Sequence, residues 1–563
     1  MKIGGGDDIL YNQLKLYGVI LNIEILKNKF KSCKPYLAKA VICFFAGTLY
    51  AAALPPFNIE IAAFFMLIPL LWVISKSRPF HAAVYGWIWG IGWSFFSYRF
   101  LREIDPIIPF LMPPVMSLWP AVWAYMTAWF IKKSEKNILT MSLFVFGCAA
   151  LFTLIEWSRS RLFVWNDSGV TQWRNIPLIQ LAAVTGGYGV NYVVALTNTA
   201  IYSLFFKRLR YAAILPVIMI ATIMIWGNHR AGLLDKNQKK QVVWKPVLIQ
   251  GDLSQRRHAT LEQATEALDI YGTLSLQALK KYPESRFIIW PESAIPLTYF
   301  TTVDMRKVNS SHPHALNTLR YQELIRLLTS NYHCRMLIGA LDCVRETPQS
   351  PNLIASNSAL YFDENSTLQR KYNKIHRVPF GEYIPFRKFI PSFITNYIDM
   401  GRDIVSGTDH EPIQLAPGVN AGVVICYEGV FSYITRESAK RGANVLIALS
   451  NDAWYPLSSE PEQHLANAVM RAVETGLPMI RSGNNGGSGV ITPTGRFTQC
   501  YGEKIKRPEL WRGRTINQIK VALSSDVRRT IYVRYGEYFI LILTFITASW
   551  MLYVIAANKK DKK

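Results

Sequence analysis

Long apolar runs alternate with short polar segments through the first 227 residues, and one more run lies near the carboxyl end. Each run is close to the ~20 residues that an α-helix needs to cross a bilayer. Core helices of a soluble protein are the alternative, but runs this long without central charges disfavour it. The pattern therefore predicts eight transmembrane helices, at about 36–54, 58–75, 82–98, 113–131, 139–157, 179–206, 211–227 and 537–556.

Lysine and arginine cluster in short segments that all fall on one side of the membrane if the eight helices alternate. That side holds about 19 of these residues and the opposite short loops about 5, so the first side is predicted to be cytoplasmic. Both termini then lie in the cytoplasm and the long insert lies outside. The predicted domains are a basic tail (1–35), a seven-helix membrane domain (36–227), an extracytoplasmic domain (228–535) and a last helix with a basic end (536–563).

The insert alternates short apolar β-branched runs with amphipathic segments, which is typical of a layered α/β domain. Helices are predicted at 260–280, 315–331, 430–441 and 461–476. Strands are predicted at 242–250, 286–291, 335–342, 353–362, 421–426, 443–450, 478–484 and 487–492.

Composition narrows the functional classes. The formal charge is +24, but half of the 563 residues are hydrophobic, and the basic residues lie between apolar segments. This favours a membrane protein over a nucleic-acid-binding protein. The seven cysteines are scattered without zinc-ligand spacing, so we expect no disulfide framework, no metal and no cofactor.

The stretch AGVVICYEG (421–429) predicts a buried strand that ends at Cys426 and turns at Gly429. A cysteine there is more often a packing residue than a nucleophile. Glu292 follows the strand RFIIW, however, and Lys374 lies in KYNKIH. A carboxylate to accept the thiol proton and an ammonium to stabilise an oxyanion are what thiol-based acyl transfer requires. The backbone N–H of Tyr427 is a further candidate oxyanion donor.

Two other segments suggest contact with lipid. The outer loop 156–175 contains Arg159, Arg161 and Trp165, which either anchor the loop at the interface or bind a lipid headgroup. The apolar stretch 383–406, bounded by basic residues, is either an arm that dips into the membrane or a buried loop.

The motifs WPES, YNKIHRVPFGEYIPF, ICYEGVF and SNDAWY occur in this order and resemble the nitrilase superfamily. With eight predicted helices around them, the chain past residue 35 resembles the bacterial apolipoprotein N-acyltransferase family. The resemblance implies an αββα sandwich and a catalytic triad of Glu292, Lys374 and Cys426. It also implies pocket positions at Glu382, Tyr427 and Glu428, although a structural hydrogen bond is an equally good interpretation of Glu428.

The same resemblance implies a two-step reaction at the outer face of a bacterial inner membrane. A phospholipid would donate an acyl chain to Cys426, and the amino-terminal amine of a diacylated apolipoprotein would accept it. One position departs from the family, which commonly has a tryptophan where this chain has Ala259. Trp454 is a candidate lid residue over the pocket, with core packing as its alternative.

Two rival functions remain. A membrane-tethered amidase or nitrilase would share the triad, but such an enzyme needs one anchor rather than eight helices. A transporter or scaffold with an inactive enzyme domain is disfavoured because Glu292, Lys374 and Cys426 are all present.

Overall fold

The computed structural model describes residues 34–134, 138–207, 210–238, 241–255, 259–301, 313–345, 354–392, 395, 404–455, 458–499, 513–523 and 530–560. Residues 1–33 of the predicted basic tail lie outside the described residues, and so do residues 393, 394 and 396–403 of the apolar stretch 383–406. In the amino-terminal half the helices are α1 (Lys34–Ala53), α2 (Ile68–Ser75), α3 (Pro79–Ser97), α4 (Ile108–Met116), α5 (Leu118–Ser134), α6 (Ile138–Ser160), α7 (Ile176–Ile179), α8 (Ala182–Thr185), α9 (Gly187–Leu204) and α10 (Ile214–Gln238).

Four helices of the described chain are long and apolar enough to cross a membrane: Lys34–Ala53, Ile138–Ser160, Arg210–Gln238 and Tyr538–Ala557. The other predicted runs fall on helices that are shorter or more polar. The run 113–131, for example, is divided between α4 and α5, because Pro120 has no N–H for the carbonyl of Met116. The run 211–227 continues as one helix to Gln238, past the predicted domain boundary.

Helices α1 and α3 pack backbone against backbone through glycine. A Cβ atom on Gly47 would lie 2.0 Å from the carbonyl oxygen of Trp89, and one on Gly92 would lie 2.1 Å from that of Phe44. Small residues allow this approach, which is a common mode of helix association in membranes. The two glycines therefore set the distance between these helices.

The strands of the insert are β1 (Val242–Trp244), β2 (Val247–Gln250), β3 (Phe287–Ile289), β4 (Ile295–Tyr299), β5 (Arg335–Arg345), β6 (Ile354–Phe362), β7 (Leu368–Asn373), β8 (Ile413–Ala416), β9 (Val419–Ile425), β10 (Val445–Ser450), β11 (Met479–Gly483), β12 (Gly489–Ile491), β13 (Phe497–Gln499), β14 (Thr515–Gln518) and β15 (Val521–Leu523). In the described part of the insert they form two large sheets and a two-stranded sheet of β1 and β15. The seven-stranded sheet has the order β14-β2-β3-β5-β6-β7 with β4 beside β5, and the six-stranded sheet has the order β13-β12-β11-β10-β9-β8. The remaining helices are α11 (Leu261–Lys281), α12 (Pro313–Tyr332), α13 (Ser432–Lys440), α14 (Glu460–Thr475), α15 (Ile531–Tyr535) and α16 (Tyr538–Lys560).

The four layers are helix, sheet, sheet and helix. One core joins the facing sides of the two sheets, as between Leu337 and Val423. The outer side of the seven-stranded sheet packs on α11 and α12, and that of the six-stranded sheet packs on α13 and α14. The predicted αββα sandwich is thus observed. The predicted strand 242–250 is two strands, because Pro246 interrupts it.

Helix α14 joins the sandwich to the membrane helices, and all of its residues are buried. Its Gln463 accepts a hydrogen bond of 2.9 Å from Trp165 Nε1, and its Glu474 accepts one of 2.8 Å from the backbone N–H of Gly187. A helix that is buried all round must pair its charged residues within the protein. Helix α14 therefore holds the two parts of the chain together.

We predict that Gly92→Ala lowers the free energy of unfolding in detergent by about 1–3 kcal/mol, because the new methyl group overpacks the contact between α1 and α3. The matched control is Gly232→Ala in α10, where an added Cβ meets nothing within 4 Å. This control should leave stability unchanged or raise it by up to about 1 kcal/mol. Equal stability of the two variants would contradict the packing argument.

Candidate active site

The structure places each of the three predicted triad residues just after the end of a strand. Glu292 follows β3, Lys374 directly follows β7, and Cys426 directly follows β9. Strands β3 and β7 belong to the seven-stranded sheet and β9 to the six-stranded sheet. The face-to-face packing of the sheets therefore places residues that are distant in sequence at one end of the sandwich.

Lys374 is buried between two carboxylates. Its Nζ lies 2.9 Å from Glu382 Oε1 and 3.8 Å from Glu292 Oε1. Asn357, on β6, joins the two carboxylates: its Nδ2 donates to Glu292 Oε1 at 2.7 Å and to Glu382 Oε1 at 3.1 Å. All four side chains are buried, so each polar contact is made away from bulk water.

The charges in this cluster shift one another's pKa. Burial raises the pKa of Glu292, which Lys374 partly opposes. Burial by itself lowers the pKa of Lys374, but Glu382 and Glu292 outweigh that effect and hold the pKa above its usual value. Lys374 therefore stays an ammonium, while Glu292 is a stronger base than an exposed carboxylate. Among the described residues, Glu292 Oε2 accepts no hydrogen bond, which leaves it available for a proton.

Cys426 has a φ angle of +52°, in the left-handed region that non-glycine residues rarely adopt. It is half-buried, unlike Cys43, Cys148, Cys334 and Cys343, the other free cysteines of the described chain, which are fully buried. Burial, followed by the negative charge of Glu292, raises the pKa of the Cys426 thiol well above its usual value, although Lys374 opposes this. The resting thiol is therefore protonated, and a neighbouring base must remove its proton for it to become a nucleophile.

Glu428 connects the segments that carry Lys374 and Cys426. Its Oε1 accepts the backbone N–H groups of Ile375 at 2.6 Å and His376 at 2.9 Å. Its Oε2 accepts the N–H of Ile425 at 2.8 Å and the hydroxyl of Tyr372 at 2.9 Å. Burial raises the pKa of Glu428 to about 7, although its hydrogen bonds oppose this shift. This geometry favours the structural interpretation of Glu428, in which it fixes one loop against another.

Tyr427 packs against the loop 156–175 of the membrane domain. Its ring stacks on those of Phe163 and Trp165, at centroid distances of 6.3 Å and 6.1 Å, and meets Phe431 edge to face. The residue after the candidate nucleophile is thus in direct contact with the membrane domain. This places the candidate site beside that domain.

The structure corrects the headgroup hypothesis for two residues of the loop 156–175. The Arg159 guanidinium is buried and donates to Asp167, to Tyr98 and to the carbonyls of Phe163 and Trp165. The indole of Trp165 is buried as well. Because these groups are used inside the protein, they are not free to bind a headgroup. The side chain of Arg161 is 54% exposed and pairs with Glu537.

Glu382 and Trp454, the other predicted pocket residues, differ in how far they are buried. Glu382 Oε2 accepts the backbone N–H of Val378 at 2.8 Å, so this carboxylate holds both Lys374 and the loop after it. Trp454 is half-buried on the short turn after β10, and its lid role stays a prediction. The sequence analysis did not predict a role for Asn357. The available indication was a lone amide side chain in the predicted strand that contains ASNSALYF.

A small cleft with a volume of about 30 Å³ lies at Ser293, the residue after Glu292. Its lining includes Ala259, the position where the family commonly has tryptophan, together with Ser254, Glu266, Ser293 and Asn451. A small residue at position 259 contributes to the width of this cleft. Ser254, Glu266, Ser293 and Asn451 make its lining largely polar.

Comparison with known protein families identifies two parts of the chain. Residues 46–200 match the family model "Apolipoprotein N-acyltransferase N-terminal domain", and residues 249–507 match the model "Carbon-nitrogen hydrolase". The chain is also similar to the apolipoprotein N-acyltransferase of Geobacter metallireducens, with 27% identity over 88% of this chain and 91% of that protein. The enzyme of the same name from Wigglesworthia glossinidia brevipalpis is 26% identical over 91% of this chain and 97% of its own.

Solved structures of carbon-nitrogen hydrolases are similar to part of the chain. The crystal structure of the carbon-nitrogen hydrolase from Helicobacter pylori is 17% identical and covers 53% of this chain and 95% of its own, with a TM-score of 0.34.

We predict that Glu428→Gln lowers the free energy of unfolding by about 2 kcal/mol or more, because an amide cannot accept from all four donors that now face the carboxylate. Thermal or chemical unfolding in detergent measures the change. Glu411→Gln is the control, since Glu411 forms an exposed ion pair with Arg441, and exposed pairs contribute little to stability. A Glu428→Gln protein as stable as this control would show that the hydrogen bonds of Glu428 do not stabilise the fold.

Proposed function

Since the chain belongs to the apolipoprotein N-acyltransferase family, we propose that it transfers a fatty acyl chain from a membrane phospholipid to the amino-terminal amine of diacylglyceryl-cysteine on apolipoproteins. The observation that carries the proposal is the buried set of Glu292, Lys374 and Glu382 beside a cysteine held at a left-handed turn. This set contains the nucleophile, the base and the cation that acyl transfer requires.

In the proposed first step, Glu292 takes the thiol proton and Cys426 Sγ attacks the ester carbonyl of the phospholipid. The carbonyl oxygen becomes an oxyanion, which the Lys374 ammonium and the Tyr427 N–H stabilise. The intermediate collapses when the carbon–oxygen bond to the glycerol breaks. The leaving alkoxide takes the proton from Glu292, and the products are a thioester on Cys426 and a lysophospholipid.

In the proposed second step, the amine of the apolipoprotein attacks the thioester carbonyl. Glu292 takes a proton from the attacking amine, and Lys374 again stabilises the oxyanion. The carbon–sulfur bond breaks, the sulfur regains a proton, and an amide is released. The acyl group passes from an ester to a thioester to an amide, so no nucleotide is consumed.

The burial of the site suits this chemistry, because the thioester must meet an amine before it meets water. We place the site at the outer face of the bacterial inner membrane, with eight transmembrane helices, both termini in the cytoplasm and the hydrolase domain at 228–535. Arg161 is an exposed cation of the loop 156–175 and the proposed contact for a phospholipid headgroup. The stretch 383–406 is the proposed membrane-dipping arm. Its residues 393, 394 and 396–403 lie outside the described residues.

We predict that a membrane-impermeant maleimide modifies Glu411→Cys but not Lys132→Cys when only the outer membrane is permeabilised. Both residues are exposed, Glu411 in the hydrolase domain and Lys132 at the end of α5. Lysing the inner membrane should make both cysteines reactive. The opposite pattern of labelling would reverse the proposed topology.

We predict that incubation with a defined phospholipid adds the mass of one acyl chain to the protein and that Cys426→Ala abolishes this addition. The acylation rate should rise with pH through the pKa of Glu292, because this carboxylate must be ionised to accept the thiol proton, and burial moves that rise above the usual range of an exposed glutamate. Glu292→Gln should slow acylation by about 10²- to 10⁴-fold and remove this pH dependence. Intact-protein mass spectrometry measures both effects.

The control for these variants is Glu411→Gln, which should acylate at the wild-type rate. A diacylated peptide should then discharge the acyl group as an amide. Release of free acid from small amides, without acylation by phospholipid, would support the amidase alternative. Full acylation of Glu292→Gln at an unchanged rate would disprove the role of Glu292 as the base.

A further inference from the structure

His464 lies directly against the backbone of the nucleophile. It belongs to the buried helix α14, and its Nε2 is 3.0 Å from the backbone carbonyl oxygen of Cys426. A carbonyl oxygen accepts and never donates, so Nε2 must carry the hydrogen of this bond whether the ring is neutral or charged. The contact is therefore a hydrogen bond from His464 to Cys426 in either protonation state.

The other ring nitrogen faces a buried charged group. His464 Nδ1 lies 3.2 Å from Asp452 Oδ1, 3.4 Å from Arg481 Nη2 and 3.6 Å from Glu460 Oε1. Arg481 also pairs with Asp452. All of these side chains are buried, and together they hold the imidazole in one orientation.

Three of these residues, Asp452, Glu460 and His464, bring their ligand atoms within 4.8 Å of one another, a spacing that a metal ion could bridge. Two observations favour hydrogen bonding instead. The guanidinium of Arg481 places a positive charge against Asp452 and His464, where it would repel a cation. Nε2 is turned away from the cluster and towards the carbonyl of Cys426.

The bond to the Cys426 carbonyl acts on the peptide that links Cys426 to Tyr427. In a planar trans peptide the C=O and the N–H point in opposite directions. Fixing the carbonyl towards His464 therefore fixes the Tyr427 N–H on the opposite side. That N–H lies in the first turn of the short helix Cys426–Val430 and has no acceptor inside the turn.

The left-handed φ of Cys426 makes such an anchor necessary, because a non-glycine residue there costs about 1–2 kcal/mol and relaxes unless its neighbours prevent it. Glu428 accepts the N–H of Ile425, which belongs to the peptide between Val424 and Ile425, one residue before the peptide that joins Cys426. His464 holds the peptide after it. The nucleophile is thus clamped on both sides, by residues of different elements.

We propose that His464 is a positioning residue that orients the Tyr427 N–H as an oxyanion donor by binding the carbonyl of Cys426. The inference deepens the proposed function, and it rests on that function for the identity of the oxyanion. It assigns to His464 a role in the formation of the thioester and none in binding the lipid.

The test compares His464→Leu, which removes the donor, with His464→Gln, whose amide nitrogen can still donate. Asn467→Leu is the matched control, because it removes a buried donor from the same helix at a contact with Asn166 of the membrane loop. The probe is a p-nitrophenyl acyl ester, whose burst of p-nitrophenolate reports acylation of Cys426 without requiring phospholipid. If the p-nitrophenyl ester acylates the protein but phospholipid does not, the result would count against phospholipid as the acyl donor and not against the role of His464.

We expect His464→Leu to lower kcat for acylation about 10²-fold, the usual effect of losing one oxyanion donor, with KM unchanged. His464→Gln and Asn467→Leu should stay within about 5-fold of the wild type. Alkylation of Cys426 by iodoacetamide, which forms no oxyanion, should stay near the wild-type rate in every variant. The midpoints of thermal unfolding show whether each variant is folded.

Three results would overturn the proposal. The first is acylation by His464→Gln as slow as that by His464→Leu. The second is a fall in iodoacetamide alkylation that matches the fall in acylation, which would indicate a general loss of structure. The third is one equivalent of metal in the wild type that is lost in the His464 variants, which would make this cluster a metal site.

Discussion

A single ammonium group, that of Lys374, holds the candidate active site together. It is buried with two carboxylates, and its positive charge offsets the repulsion between them. Asn357 adds donors to both carboxylates and fixes their separation. Besides burial, the negative charge of Glu382 raises the pKa of Glu292, which increases its tendency to accept a proton.

Three glutamates at this site show how surroundings divide the work among identical side chains. Glu292 has one oxygen without a donor in the described structure and is suited to proton transfer. Glu382 binds Lys374 and a backbone N–H, and so positions the cation. Glu428 accepts four donors and connects the loops. Residue type alone does not distinguish these roles, because the number and direction of the hydrogen bonds decide them.

Helix α14 makes the membrane domain part of the site. On one side its Gln463 binds Trp165 of the outer loop, and in the next residue His464 reaches the nucleophile. Trp165 also stacks on Tyr427. Two short routes of packed side chains therefore connect the loop 156–175 to the residues around Cys426. This connection suits a site whose acyl donor arrives from the bilayer.

The amino-acid sequence determined the layered α/β domain, its membrane surroundings and the strand-end positions of Glu292 and Cys426, because hydrophobic periodicity and short motifs are local signals. It did not reveal Asn357, the environment of Arg159 or the contact between His464 and Cys426. These depend on which segments meet when the two sheets and the membrane helices pack. A sequence shows which side chains carry charge, but burial and the partners available in three dimensions decide whether that charge binds a ligand, fixes a loop or moves a proton.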